Sequence, residues 1–406
     1  MKIAIIGGGA SGFFAAITAA ENHFGSSVTI FEKAPVTLAK VRISGGGRCN
    51  LTNGCESLNE FSAAYPRGGR AMKRLLQEFG NNKTIEWFES RGVPLVMQDD
   101  GCLFPESQNS ESIIDCLHRE CYRLNIKIKT QAGVAEINPQ TSGSLVLSFV
   151  NPELNPETFD KVIVTTGGSP KKRGLEWLEK LGHKIEEPVP SLFSLNLPTD
   201  EITSLMGIVA EKTTVSLPGT KIKAQGALLI THWGMSGPAI LKLSSFGARI
   251  MNEKGYNFTI SVNWIDISNE ESVKEHIKEI IKTSPGKLLN SVRPFDVPAR
   301  LWNHLVSKCE FQSNVRWGDI GSKGVTKITT ILTADSYWVN GKSSYKDEFV
   351  TCGGISLDSV NIKTLESKAV KNLYFAGELL DIDAITGGYN LQCAWTTGFV
   401  SGLLRD

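Results

Sequence analysis

Three glycines, Gly7, Gly9 and Gly12, stand between an apolar β-rich run, Lys2–Ile6, and an Ala-rich helical stretch, Ala10–Asn22, and an acid, Glu32, follows Gly12 by 20 residues. In a strand–turn–helix setting each position has a task. The first glycine permits the tight turn, the second lets backbone approach a pyrophosphate, and the third allows close packing of helix on strand. The helix start offers free N–H groups and a partial positive charge to phosphates. Glu32, closing a second β-run from Ser27 to Phe31, is placed to accept hydrogen bonds from ribose hydroxyls. The glycine spacing alone fits an ordinary turn; with strand, helix and acid it predicts a dinucleotide site.

Three further strings favour FAD over NAD. ISGGGRCNLTN (43–53) sets three glycines and Arg48 shortly after the Glu32 strand, where a loop can fold backbone around a pyrophosphate and a flavin ring. DKVIVTTGGSP (160–170) is an apolar strand running into Thr166-Gly167-Gly168, which brings backbone near a cofactor at the carboxyl end of a strand. NLYFAGELLDIDAITGGYNLQCAWTTG (372–398) reads as a strand ending at Gly377-Glu378, then a Gly387-Gly388 turn that opens a helix at Tyr389–Leu391. The N–H groups of that helix start can face the N1/C2=O edge of a flavin and stabilise the charge of its reduced form.

Around these segments the pattern predicts a helical stretch from Arg70 to Arg91, another from Ser110 to Leu124, and β-runs near Lys127, Leu145 and Val162. From Pro188 to Ile265, β-branched runs such as Thr213–Leu217 and Ala227–Thr231 are punctuated by Pro and Gly, which predicts a separate β domain. Within it THWGMSGPA is expected to be a fixed loop and not a strand. Asn269 to Lys308 carries helical periodicity, β-runs are expected to resume at Lys327–Leu332, and α/β character returns after Thr351 with a long helix from Tyr389 to Leu404. The expected architecture is α/β: an FAD-binding Rossmann domain from 1–190 and 350–406, an inserted β domain from 191–266 and 326–349, and a helical insert from 267–325.

GGGASG, ISGGGRCNLTN, THWGMSGPAILKLS (231–244) and LYFAGELLDIDAITGGYNLQCAWTTG together resemble a family of bacterial NAD(P)/FAD-dependent flavoprotein oxidoreductases that includes aminoacetone oxidase and the bile-acid enoyl reductases. The likeness spans nearly the whole chain. It implies a glutathione-reductase-like FAD-binding domain, an inserted β-barrel-like domain and a small helical domain. Carried over block by block, it implies FAD contacts at Gly7, Gly9, Ala10, Ser11, Gly12, Glu32, Lys33, Gly46, Gly47, Arg48, Cys49, Asn50, Gly377, Glu378, Asp383, Gly388, Tyr389, Asn390 and Leu391. Thr166 and Gly167 join them by their strand-end position. Val134 is a further candidate for backbone contact with adenine, with core packing an equal alternative. One departure is Ala384, where members often carry Gly; it matters only if the position needs positive φ.

The reaction these residues point to is hydride transfer between flavin N5 and a small organic substrate. An activated carbon–carbon double bond to be reduced and an amine to be oxidised with O2 both remain open. With no second G-x-G-x-x-G after a strand, NAD(P)H has no Rossmann unit of its own and, if used, would act as a transient co-substrate reaching the flavin through the substrate cleft or an irregular site. Cys49 and Cys55 are separated by five residues including Asn53-Gly54, a spacing that favours a turn over a redox pair on one helix, so Cys49 is expected to face the flavin and Cys55 to be incidental. His232 is the candidate proton donor, its competing role being to hold its loop by hydrogen bonds.

With 43 Lys and Arg against 42 Asp and Glu, no global field attracts nucleic acid, and the tract Lys171–Arg173 reads as a solvated helix start. No nucleic-acid partner is therefore expected, and a flavin-dependent RNA-modifying protein is a minor alternative. The eight cysteines show no metal-ligand spacing, so no metal site is expected. The first residues read as a strand and not a signal peptide, and no stretch reaches ~18 uninterrupted apolar residues, so a cytoplasmic protein without a membrane span is expected.

Overall fold

The computed structural model describes residues 1–312, 314–343 and 350–405; the expected boundary at 349 and the terminal residue 406 lie outside them. The chain divides into two compact units, Met1–Pro190 with Lys346–Asp406, and Ser191–Tyr345.

The first unit is built on a five-stranded sheet in the order Leu373–Phe375, Lys161–Val164, Lys2–Ile6, Ser27–Phe31, Lys127–Lys129, every neighbouring pair parallel. A parallel sheet is buried on both faces, which is why KIAII and KVIV read as unbroken apolar runs. Ile3, Ile5, Ile30 and Ile163 enter one core, and Ala4, Ile6, Phe31, Val162 and Val164 enter the other. The first core is covered by the Ala10–Asn22 helix, the second in part by an antiparallel meander of Val134–Pro139, Leu145–Phe149 and Glu157–Phe159. The Tyr389–Gly402 helix lies on the Ala10–Asn22 helix through two glycines: a Cβ on Gly398 would stand 2.6 Å from Ser11 O, and one on Gly402 2.6 Å from Ala15 O.

The expected helix from Arg70 to Arg91 is two helices, Gly69–Glu78 and Asn81–Glu89. Phe79, at φ −145° and ψ 86°, ends the first, and Gly80, extended at φ −92° and ψ −174°, caps the second. His183 in this unit is 2 % exposed, with Nδ1 2.9 Å from Leu178 O and Nε2 2.7 Å from Ser367 Oγ. Burial lowers its pKa below the ordinary 6.5. As pH falls through about 6.5 the unfolded chain takes up a proton that the folded ring resists, so stability should decline on acidification. In urea titrations on both sides of that pH, His183→Gln should show the shallower decline; an equal decline in both proteins would remove His183 from the account.

The second unit is a six-stranded antiparallel sheet in the order Leu195–Asn196, Gly234–Ser236, Lys223–Thr231, Val209–Ser216, Asn257–Asn263, Asp335–Asn340. Its first and last strands meet: Leu195 pairs with Lys342, Asn196 N donates to Gly341 O at 3.1 Å and Ser343 N to Ser194 O at 2.9 Å. The sheet is thereby closed into a small barrel filled by side chains such as Leu228, Ile230, Ile260, Val262 and Val339.

Two sequence expectations fail here. The β-run expected at Lys327–Leu332, and with it the β structure expected from 326, is the helix Gly321–Thr333. The run is β-branched, but its buried residues Val325, Ile328, Thr329 and Leu332 fall at helical spacing, and burial outweighs local propensity. THWGMSGPA is not a loop: Gly234–Ser236 is a strand, and Pro238 opens the helix Pro238–Glu253. Its glycines serve close strand approach, since a Cβ on Gly234 would lie 2.2 Å from Leu195 O. Among the described residues no helix is long and apolar enough to cross a membrane.

Candidate cofactor site

The Gly7–Gly12 turn sits at the carboxyl end of the central strand. Gly7, at φ +116°, donates its N–H to Phe31 O at 2.8 Å, and a Cβ there would lie 2.4 Å from Thr165 O. A Cβ on Gly12 would lie 2.0 Å from Gly7 O. Gly9 differs: a Cβ there would meet no protein atom within 4 Å. It is the N-cap of the Ala10–Asn22 helix, which has neither a side-chain cap nor an acid in its first turn, so the N–H groups of Ala10 and Ser11 are left for another acceptor. Glu32 accepts Gly8 N at 2.7 Å on one carboxylate oxygen and Ala34 N at 2.8 Å on the other, which fixes it beside the turn with lone pairs to spare.

The glycine string is the end of the helix Ala39–Gly47, which breaks at Ser44; Gly45, Gly46 and Gly47 follow at φ +58°, +69° and +84°. A run of left-handed residues makes a concave backbone suited to anions. Gly45 is closely backed, its Cβ position 2.8 Å from Asn50 N, whereas Gly46 and Gly47 have no protein atom within 4 Å. Arg48 stacks on Phe104 at 4.3 Å and donates to Gly45 O and Gln108 Oε1. Beyond the Lys161–Val164 strand, Gly167 at φ +75° is likewise open, with Thr166 exposed beside it. Lys33 is exposed and packs against Gly133, next to the half-buried Val134 that begins the meander.

The C-terminal block closes the same region of this unit. Gly377, at φ +74°, abuts Ser11, its Cβ position 2.4 Å from Ser11 Oγ. Glu378 accepts Thr351 N at 2.8 Å and Lys40 Nζ at 2.7 Å. Gly388, at φ +90°, is the N-cap of the Tyr389–Gly402 helix, again without a side-chain cap or first-turn acid, and a Cβ there would lie 2.3 Å from Thr52 O. With its amide turned so that Nδ2 faces Thr52 O and Oδ1 faces Gly388 N, Asn50 bridges the two at 3.2 Å each, and Asn53 Nδ2 donates to Gly387 O at 3.1 Å. The 43–53 and 387–391 strings are thus stitched together. Asn390 turns back to Ala384 N and O at 3.0 Å each, Tyr389 O accepts Tyr65 OH at 2.8 Å, and Leu391 is half-buried. Ala384 is not among the positive-φ residues, so its departure from glycine carries no strain.

Two of the expected contact residues are enclosed by the protein itself. Cys49 is fully buried at φ +65°, and desolvation pushes its thiol up to about 12. Asp383 is also fully buried, its carboxylate engaged by Arg67 through both oxygens, Nε to Oδ1 at 2.6 Å and Nη2 to Oδ2. Arg67 was not legible as a site residue. With Ala64 O accepting Ile385 N at 2.9 Å and Gly68 pressed on Ile382, it makes 64–68 the wall of the 382–389 turn. The Pro-Arg-Gly-Gly punctuation at 66–69 was the available signal. His232 lies in the second unit, exposed at a hairpin turn and edge-on to Trp233 at 4.4 Å. That turn is held by Thr231, whose Oγ1 lies 3.1 Å from Gly234 O and 3.2 Å from Gly234 N.

The described residues of the first unit fit a dinucleotide. Four glycines (Gly9, Gly46, Gly47, Gly167) leave space that a Cβ would enter unopposed, and two uncapped helix N-termini accompany them.

A family model described as the HI0933-like protein Rossmann domain matches residues 1–404. The chain is 27 % identical to a 3-dehydro-bile acid delta(4,6)-reductase of Clostridium scindens, over 99 % of this chain and 98 % of that protein. It is 29 % identical to a ribosomal RNA dihydrouridine synthase of Haemophilus influenzae, over 98 % of this chain and 97 % of that one. Among solved structures, a 3-ketosteroid-delta4-(5alpha)-dehydrogenase of Rhodococcus jostii is similar at a TM-score of 0.53 and 11 % identity, covering 99 % of this chain and 95 % of that one, a likeness of fold.

Proposed function

Because the chain belongs to the HI0933-like Rossmann-domain family, we propose that it is an FAD-dependent oxidoreductase that reduces a carbon–carbon double bond conjugated to a carbonyl. The observation that carries the cofactor is the open glycine cradle of Gly9, Gly46, Gly47 and Gly167 beside two uncapped helix starts. FAD, when bound, supplies hydride transfer at its N5. The chain's own residues hold it. Ala10 and Ser11 N–H groups and the Gly46–Gly47 backbone take the pyrophosphate, Glu32 takes the adenosine ribose, and Glu378, fixed by Thr351 and Lys40, takes a hydroxyl of the ribityl chain. The start of the Tyr389–Gly402 helix offers its N–H groups to the negative charge of the reduced ring. The names of both relatives denote saturation of a conjugated double bond, which supports that substrate class over amines. NAD(P)H is the proposed source of electrons.

Anaerobic mixing tests the reading. NAD(P)H should bleach the bound flavin, and an α,β-unsaturated carbonyl compound should restore its colour. Bleaching by amines but not by NAD(P)H would reverse the assignment in favour of an amine oxidase.

A second reading, that the double bond belongs to a uridine in RNA, is favoured by the relative named for ribosomal RNA. It is also favoured by Lys171 and Arg173, exposed just beyond Thr166-Gly167 on the segment leaving the carboxyl end of the sheet. Near-zero net charge is therefore no ground for dismissing a nucleic-acid partner.

A further inference from the structure

Residues 282–327 carry eight basic side chains against three acidic ones, in a chain whose net charge is +1. The fold gathers part of that excess. Leu289 N donates to Val315 O at 3.1 Å, Trp317 N to Lys287 O at 3.0 Å and Gly318 N to Pro285 O at 2.9 Å. These bonds lay 285–289 antiparallel to 315–318, with Leu288 opposite Arg316. Lys287 and Arg316 are neighbours in this pairing, and Lys323 follows in the first turn of the Gly321–Thr333 helix. All three are exposed. Lys308 and Lys327 are ion-paired, to Asp335 and Glu310, but among the described residues Lys287, Arg316 and Lys323 have no acidic partner.

The platform beneath them is a buried aromatic core. Trp302 and Trp317 are fully buried with parallel rings 6.2 Å apart, and Trp302 Nε1 donates to Leu289 O at 2.9 Å. The placement of Lys323 works against the helix it occupies, because a cation in the first turn opposes the helix dipole where Asp or Glu would support it. Three unpaired cations on a fixed scaffold, one of them opposed by its own helix, are arranged to meet an external polyanion.

We propose that this basic end of the helical segment docks the sugar–phosphate backbone of RNA; the proposal rests on the RNA reading above. Phosphate contacts from lysine and arginine position a chain without reading its sequence, so the surface would confer affinity and leave the choice of uridine to the flavin site.

The test uses the full-length holoprotein, a uridine-containing ribosomal RNA fragment, and anisotropy measured over a range of salt. Lys287→Gln/Arg316→Gln/Lys323→Gln should weaken binding at least tenfold at low salt and reduce the salt slope by about 2, as expected for three lost contacts to single-stranded RNA. Flavin absorbance and NAD(P)H bleaching should not change. Lys323→Glu alone should raise the thermal midpoint while weakening RNA binding, which separates a docking role from a structural one. Wild-type binding with an unaltered triple variant would overturn this surface and leave the RNA reading standing. Absence of wild-type binding at low salt, or binding to anionic vesicles in place of RNA, would overturn both.

Discussion

Gly9→Asp should yield a folded protein without colour. Aspartate is at least as good an N-cap as glycine, and its charge suits a helix N-terminus, so the Ala10–Asn22 helix should lose nothing. Gly9 has an ordinary backbone conformation, φ −92° and ψ −171°, and no protein atom within 4 Å of a Cβ. The carboxylate would instead occupy the space proposed for the pyrophosphate and repel it. FAD affinity should fall at least ~100-fold, on the order of 3 kcal/mol, with the apoprotein's thermal midpoint and far-UV spectrum unchanged. Gly12→Ala is the contrast: its Cβ would lie 2.0 Å from Gly7 O, so the fold itself should fail. If Gly9→Asp retained its flavin, the cradle would be misassigned.

Arg67→Met should destabilise the protein by about 3–5 kcal/mol, the usual consequence of removing one member of a buried ion pair. Asp383 is wholly enclosed, whereas the Arg67 side chain is 12 % exposed, so the anion cannot turn to water when the guanidinium is removed. Replacing both residues, Arg67→Met with Asp383→Leu, should recover much of the loss, because the desolvation of each charge is removed with it. Denaturant titration of the two variants checks this. A single variant as stable as wild type would mean that Asp383 is satisfied without the guanidinium.

The cofactor turn was legible because its demands are local. Gly7, Gly9, Gly12 and Glu32 occupy one strand–turn–helix–strand segment, and the φ of +116° at Gly7 and the 2.0 Å approach at Gly12 are requirements that only glycine meets. Arg67 was hidden for the opposite reason: its partner lies 316 residues away, and nothing near Arg67 announces a buried acid. Lys327–Leu332 misled because β-branched residues describe side-chain preference, whereas the buried positions Val325, Ile328, Thr329 and Leu332 obey helical spacing. Cys49, a cysteine beside glycines, reads in sequence as a reactive group; its full burial depends on packing that no local pattern displays.

The glycine contacts that seat the Tyr389–Gly402 helix on the Ala10–Asn22 helix also set an order of assembly during synthesis. The barrel unit is continuous in sequence, Ser191–Tyr345, and all its strands have left the ribosome before the last parts of the first unit appear. At ~5–20 residues per second, the first helix waits roughly 20–75 s for its partner. Through that interval the apolar segments of the first unit are unfinished, and the nascent chain carries the whole barrel sequence between two segments of a sheet-and-helix unit that cannot yet close.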